Sequence, residues 1–338
     1  MAKAKKQPSG NYRCQVYMGR DPNGKRIIES VTAPTKKEAE YLAAERKLAA
    51  SGRVEQMTLR TAYNRYIDSK SKVLSPSTIK NYRQICNSSQ SPIMFSHVPK
   101  ITSFDVQKTI NDLSAEHSPK TVKNRYGLFT AVMRSVMPEK RFYVRLPSPE
   151  KKEVYIPDGE TIKRLYKLAK GTWIELPLVL ASQCGLRASE IAGLKYDCVK
   201  EDSITIKRAV VVSDDGYVEK SPKTFAGTRT LPIHSEIKKL IGQGKPNEYV
   251  LKGGNRTHIS MEWRRFLQDT DEQYFSFHKL RHYFASNALL KGIPKRYVAE
   301  LMGHSSEHML DQIYEHTFAN AKESFARQLI ADSDNLFT

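Results

Sequence analysis

The 338-residue sequence predicts a multidomain, mainly α-helical protein with small β-sheets: an N-terminal three-stranded sheet plus helix, a four-helix domain, and a mixed α+β domain. Three observations predict it. The chain is longer than one ordinary core fills. Alternating, strand-like runs near the N-terminus give way at Thr58 to helical periodicity. Finally, Leu146-Pro-Ser-Pro-Glu-Lys-Lys152 mixes prolines with charges and has no period, which reads as an interdomain linker. These features place the domains at 1–55, 56–147 and 148–338.

Tyr12–Met18 and Lys25–Val31 read as strands joined across Asp21-Pro-Asn-Gly24, whose Asn-Gly pair suits a hairpin turn. Thr35-Lys-Lys-Glu38 has capping-box spacing and opens a helix to about Ala50, closed by Ser51-Gly52. From Thr58, Leu59, Ala62, Tyr63, Tyr66 and Ile67 share one helical face. Ser75-Pro76 and Ser118-Pro119 each read as an N-cap followed by proline in the first turn, and a further helix runs from Ser103 to Ser114. After the linker, helices are expected over Asp158–Leu168, Thr172–Gln183 and Arg187–Leu194, strands over Ser203–Val212 and Thr228–Ile233, and mostly helix from Met261 onward.

The charge balance narrows the partner. Lys and Arg number 55 against 36 Asp and Glu, a net charge of +19 that steers polyanions toward the chain. The first 55 residues alone hold twelve Lys or Arg against six Asp or Glu. No run of about eighteen apolar residues would span a membrane. The basic start Met1-Ala-Lys-Ala-Lys-Lys6 leads into Gln-Pro-Ser-Gly instead of an apolar stretch, so no secretory signal is read and a cytoplasmic, nucleoid-associated location in a bacterial host is expected. Cys14, Cys86, Cys184 and Cys198 form no C-x-x-C pair, which argues against a zinc ribbon or a disulfide framework.

Four stretches of the C-terminal region carry chemistry. In Cys184-Gly-Leu-Arg187-Ala-Ser-Glu190, glycine permits a tight turn and Arg187 sits where a helix begins, able to aim its fork at a phosphate or simply to pair with Glu190 on the surface. Ser221-Pro-Lys223-Thr224 leads into Thr228-Arg-Thr-Leu-Pro-Ile233 and presents a hairpin lysine, which by itself is an ordinary loop side chain. His278-Lys-Leu-Arg281-His282 places His278 and Arg281 three apart on one helical face. Leu301-Met-Gly-His304 is followed ten residues later by Tyr314, which alone would read as a core tyrosine. Together, two arginines, a lysine and two histidines around one hydroxyl make a cationic pocket suited to a phosphodiester, with no carboxylate cluster to hold Mg²⁺.

Gly185-Leu-Arg187 with Glu190, Lys223, His278-x-x-Arg281, Leu301-Met-Gly-His304 and Tyr314 resemble the signature of the tyrosine recombinase family, the phage lambda integrase superfamily. The resemblance is specific from Asp158 to about Ala319. The helical domain resembles the family's core-binding domain by architecture, and the basic N-terminal module is similar to the arm-type DNA-binding domain of integrases from temperate phages and conjugative transposons. The resemblance implies that the chain integrates and excises a mobile element through a 3′-phosphotyrosine link on Tyr314 and a four-way junction, without metal, cofactor or ATP. Arg187 and Arg281 would hold the non-bridging oxygens, Lys223 would protonate the leaving 5′-oxygen, His278 would assist proton transfer and His304 would donate to the phosphate. Lys220 is a neighbouring alternative to Lys223; Lys-Thr, a short loop and Arg-x-x-Pro fit the family pattern at Lys223.

Implied partners are double-stranded DNA at core and arm attachment sites, three further copies in a synaptic tetramer, an excisionase and a host DNA-bending protein. For DNA, Arg13, Gln15, Tyr17, Arg20 and Lys25 of the N-terminal module are candidate contacts, as are Lys80, Arg83, Lys120, Lys123 and Arg125 on helix faces opposite the apolar stripes. The segment Ala319–Ile330, apolar at Phe325, Leu329 and Ile330, would dock as a helix on a neighbouring subunit or on its own domain. A type IB topoisomerase or telomere resolvase shares the constellation, and the N-terminal module favours a recombinase. A DNA-binding regulator would have lost Tyr314 or an arginine, and neither is missing. A metal site on His278, His282, His304, His308 and His316 lacks the His-Glu-x-x-His pattern or a supporting cysteine.

Overall fold

The computed structural model describes residues 3–20, 26–51, 57–89, 91–149, 155–220, 228–304 and 306–319. The Asp21–Gly24 turn, Lys25, Gly52, linker residues 150–152, Lys223 and the segment beyond Ala319 lie outside them. The chain divides into two units, Met1–Lys151 and Lys152–Thr338.

In the first unit, β1 (Lys5–Lys6), β2 (Tyr12–Arg20) and β3 (Arg26–Ala33) form an antiparallel sheet in the order β1-β2-β3. Strand alternation sends Cys14 and Val16 inward and leaves Arg13, Gln15 and Tyr17 on the other face. Helix α1 (Lys36–Ser51) covers the inner face through Ala39 and Ala43, small side chains that let helix and sheet approach closely. The helical part holds α2 (Leu59–Lys70), α3 (Pro76–Ser88), α4 (Ser103–Glu116) and α5 (Pro119–Val136) around a core that includes Leu59, Ile67, Ile101, Val122, Val132 and Met133. Thr58 and Ser118 cap α2 and α5 by accepting from Thr61 N and Thr121 N. Ser75 occupies the cap position of α3 without capping; its hydroxyl pairs with Ser77 Oγ at 3.1 Å instead. Helix α4 opens on a full capping box, Thr102 with Asp105.

The chain beyond α5 is more ordered than its composition suggests. Phe142, Val144 and Leu146 pack on the helical core, and Arg145 exchanges both of its backbone hydrogen bonds with the Gln107 side chain, N–H to Oε1 at 2.7 Å and Nε2–H to the carbonyl at 3.1 Å. Leu146, placed by sequence at the head of a linker, thus belongs to a docked, extended strap.

The second unit contains α6 (Gly159–Ala169), α7 (Glu175–Gln183), α8 (Ala188–Ala192), β4 (Ser203–Ile206), β5 (Ala209–Ser213), β6 (Gly216–Lys220), β7 (Arg229–Pro232), α9 (Ser235–Ile241), α10 (Arg256–Gln268), α11 (His278–Leu290), α12 (Lys295–Met302) and α13 (Asp311–Ala319). The expected strand Ser203–Val212 is two strands, because the chain turns at Lys207-Arg208, where Arg208 forks onto Asp197 at 3.1 and 3.0 Å. Strand β4 then pairs antiparallel with β7, and β5 with β6, a strand that the sequence pattern did not reveal. Helix α7 starts three residues late because Thr172 and Gly171 form a turn, the Thr172 hydroxyl donating to Ala169 O and Gly171 N to Glu175 Oε2. Trp263 anchors the core, fully buried between Phe275 and Phe277 with its indole N–H donating to Phe275 O at 2.8 Å. Four free cysteines are buried, Cys14 and Cys86 in the first unit and Cys184 and Cys198 in the second. No described helix is long and apolar enough to cross a membrane.

Candidate active site

After α7, the chain reverses at Gly185, whose φ of +66° is a left-handed conformation that glycine tolerates. A Cβ there would also lie 2.5 Å from the Phe284 ring. The turn aims the Gly185 carbonyl at Arg281 of α11, which donates to it. Two residues on, Arg187 is the N-cap of α8. Its backbone N–H donates to Glu190 Oε2 at 3.0 Å and its guanidinium to Glu190 Oε1 at 2.6 Å.

Glu190 is the hub. Arg229 of β7 reaches both of its oxygens, at 3.3 and 2.8 Å, and the Arg281 guanidinium lies 3.8 Å away. Burial by itself would raise the Glu190 pKa, but Arg229, Arg281 and Arg187 outweigh it and bring the group down to about 2. Three guanidiniums around one carboxylate leave the cluster net positive.

The same arginines grip consecutive carbonyls at the end of α12. Arg229 Nε donates to Leu301 O at 2.7 Å, Arg281 to Met302 O, and Arg187 to Gly303 O at 3.2 Å. Gly303 is left-handed, and its N–H and that of His304 close a Schellman turn onto Glu300 O and Ala299 O. Cations at a helix C-terminus are favoured by the macrodipole, and here they also fix the orientation from which His304 departs.

Around this cluster stand three neutralised histidines. Burial first, then Arg281 and Arg187, depress His278 to about 4; burial and the same two arginines do so for His304; burial and then His278 bring His282 to about 3. His278 and His282 meet edge to face at 4.9 Å. Arg281 is 1% exposed, and its Nε, like Nδ1 of His282 and of His304, is buried without a partner among the described residues. The orphaned Nε–H of Arg281, a donor inside a positive cluster, is what an arriving anion would satisfy. An open cleft joins Arg187 and His278 to Arg256, Ser189, Ser260 and Tyr274.

The structure therefore brings Arg187, His278, Arg281 and His304 into electrostatic range of one another. Tyr314 sits on α13, 44% exposed, its ring 4.5 Å from Phe318 and 5.7 Å from Lys295 Nζ, with no hydrogen bond to its hydroxyl among the described residues. Lys295 in turn pairs with Asp311. Helix α13 rests on α11 through the Ser286–Thr317 hydroxyl pair at 2.8 Å. Lys223 lies outside the described residues. Sequence reasoning missed Arg229 as Glu190's principal partner and Arg256 in the cleft; the only signal for Arg229 was its place in Arg-x-x-Pro. Among the described residues no three His, Cys, Asp or Glu side chains are grouped to hold a metal ion.

The candidate DNA-binding residues are dispersed. Arg13, Gln15 and Tyr17 share the open sheet face, with Arg13 bonded to Ser30 Oγ at 2.7 Å. The Arg20 side chain and Lys25 are outside the described set. Lys120 and Lys123 are exposed, Lys80 is half-buried, and Arg83 pairs with Asp68 at 3.6 Å. Arg125 lines an apolar cavity with Tyr63, Tyr126 and Phe129 and so does not stand on the open face.

Residues 158–321 match the model of the phage integrase family. A "tyrosine recombinase XerC-like" protein of Caldanaerobacter subterraneus subsp. tengcongensis is 25% identical across 94% of this chain and 95% of its own length. Tyrosine recombinase XerC of Brucella suis is 27% identical across 53% of this chain and 58% of its own. Among solved structures, a Tn1549 transposon integrase fragment in complex with transposon right end DNA superimposes with a TM-score of 0.68 at 18% identity, covering 80% of this chain and 99% of that one. A lambda integrase dimer bound to a COC′ core site gives 0.59 at 16% identity, over 93% and 95%. These likenesses establish a shared multidomain fold.

Proposed function

Because the chain belongs to the tyrosine recombinases, enzymes that cleave and rejoin DNA, we propose that it integrates and excises a mobile element by way of a 3′-phosphotyrosine on Tyr314. The Tyr314 oxygen attacks the scissile phosphorus, the bond to the 5′-oxygen breaks, and the phosphodiester energy is kept in the tyrosyl link. A 5′-hydroxyl from another strand then reverses the step and completes strand exchange. Tyrosine's ordinary pKa of about 10 means that this attack needs a proton acceptor and nearby positive charge.

His278, neutral at physiological pH, takes up the phenolic proton. Arg187 and Arg281 bind the non-bridging oxygens, His304 donates to the phosphate, and Lys223 protonates the leaving 5′-oxygen. The observation that carries this reading is the arginine cluster clamped to the end of α12, because it supplies fixed positive charge where His304 leaves the helix and α13 follows with Tyr314.

At the scale of the assembly, we infer arm-type binding through residues 1–55, core binding through 56–147, catalysis by 148–338, and a tetramer acting through a four-way junction, with an excisionase and a host DNA-bending protein as accessory factors. The element is a temperate phage or a conjugative transposon. Supporting this is the likeness in fold to the Tn1549 integrase bound to transposon end DNA and to a lambda integrase tetramer bound to a Holliday junction.

The test is incubation of the full chain with nicked duplexes of randomised core sequence, in EDTA and without ATP, followed by a denaturing gel. A protein–DNA adduct that vanishes in Tyr314→Phe is expected. Tight DNA binding with no adduct in any duplex would point to a regulator instead.

A further inference from the structure

We propose that Arg141, Tyr143 and Arg145 form a rail that binds consecutive phosphates along one strand of duplex DNA, a surface distinct from the helix-face lysines and resting on the recombinase reading. The segment Arg141-Phe-Tyr-Val-Arg-Leu146 alternates strictly. Phe142, Val144 and Leu146 are packed on the four-helix core, so the extended chain turns the other three residues outward. All three are exposed, Tyr143 by 84%.

This face is held rigid. Tyr143 N–H donates to Ser103 Oγ at 3.1 Å, and Gln107 takes the place of a neighbouring strand for Arg145 by both accepting from its N–H and donating to its carbonyl. At the head of the strap, Lys140 is anchored to the carbonyls of Val98 and Pro99 and lies over the Phe142 ring at 5.8 Å. A segment ordered before binding loses little entropy on binding.

Its charge is uncommitted. The described ion pairs of this unit, Arg46–Glu29 and Arg83–Asp68, leave out Arg141, Arg145 and the exposed Arg134. Arg134 and Thr130 of α5 join Arg141 and Tyr143 around an open cleft. Guanidiniums fork onto phosphates and a phenol hydroxyl donates to them. Alternate residues of an extended chain are about 6.6 Å apart, a step comparable to that between neighbouring phosphates of one strand. Such binding would set the register of the protein on DNA without reading sequence.

The experiment is fluorescence anisotropy of the full chain with a random-sequence duplex over a range of salt concentrations. Arg141→Ala/Arg145→Ala should reduce the steepness of log K against log salt by about 2, one unit for each phosphate no longer neutralised. Arg141→Lys/Arg145→Lys should keep the steepness, which separates missing charge from a damaged fold, and Tyr143→Ala should weaken binding at unchanged steepness. Wild-type affinity and steepness in the alanine pair would overturn the rail while leaving the recombinase reading intact. Failure of the wild-type chain to bind duplex at all would overturn both.

Discussion

Glu190 joins three arginines from three elements, so its removal acts on all of them at once. Glu190→Ala should cost about 3–5 kcal/mol, the usual consequence of leaving buried charges without their counter-ion, measurable by urea unfolding. Its folded pKa, about 2, lies below the ordinary value of 4.5, so the stability it confers is complete above the ordinary value and is lost as pH falls from there toward 2. The three histidines act earlier. Their folded values of about 4, 3 and 4 lie below 6.5, so the unfolded chain binds protons first and stability declines as pH drops from 6.5 through these values. His282→Gln should make that decline shallower in urea midpoints taken at successive pH values; an unchanged slope would show that His282 binds its proton equally well in the folded and the unfolded chain. Much of this site was legible because Arg187, Glu190, His278, Arg281 and His304 fall within short motifs. Arg229 was not, because it joins Glu190 across 39 residues of chain, a distance over which no spacing rule operates. The sequence also offered a salt bridge and a phosphate ligand as alternatives for Arg187, and the geometry shows the Glu190 pairing to be part of the cluster itself.

Among the elements, the turn between α7 and α8 is the least tolerant. Gly185→Ala adds a Cβ against Phe284 at a left-handed φ and should destabilise the unit by about 1–3 kcal/mol in chemical denaturation. It should also lower DNA cleavage by shifting the carbonyl that seats Arg281. Recovery of stability in Gly185→Ala/Phe284→Ala would assign the cost to the collision; no recovery would assign it to the backbone. Thr102→Ala, which removes the hydroxyl that accepts from Asp105 N–H and leaves the backbone half of the α4 capping box, should cost about 1 kcal/mol. Helices were the readable elements, because period and caps are local: α2, α4 and α5 lie within a few residues of expectation. The strands of the second unit were less so. Ser203–Val212 looks continuous as a string of β-formers, and only the distant Asp197 that draws Arg208 aside explains why it breaks. The strap at 141–145 was hidden for a similar reason, since its partner is a helix side chain, Gln107, instead of another strand.

For the whole molecule, two units with separate cores imply two unfolding events. The chain's two tryptophans, Trp173 and Trp263, both lie in the second unit, so their fluorescence reports that unit alone while far-ultraviolet circular dichroism reports both. The two signals should give different denaturant midpoints; coincident curves would mean that the units unfold as one. The buried cysteines have a practical consequence of the same kind. Burial pushes Cys86 up to about 11 and Cys184 up to about 12 and raises Cys198, so little reactive thiolate is present at neutral pH. A maleimide dye added to the native chain would find few takers, and a cysteine placed at an exposed position in each unit, such as Ser148 and Glu201, would be labelled selectively. The distance between those two dyes, followed by energy transfer as duplex is added, would report directly whether the protein closes around DNA.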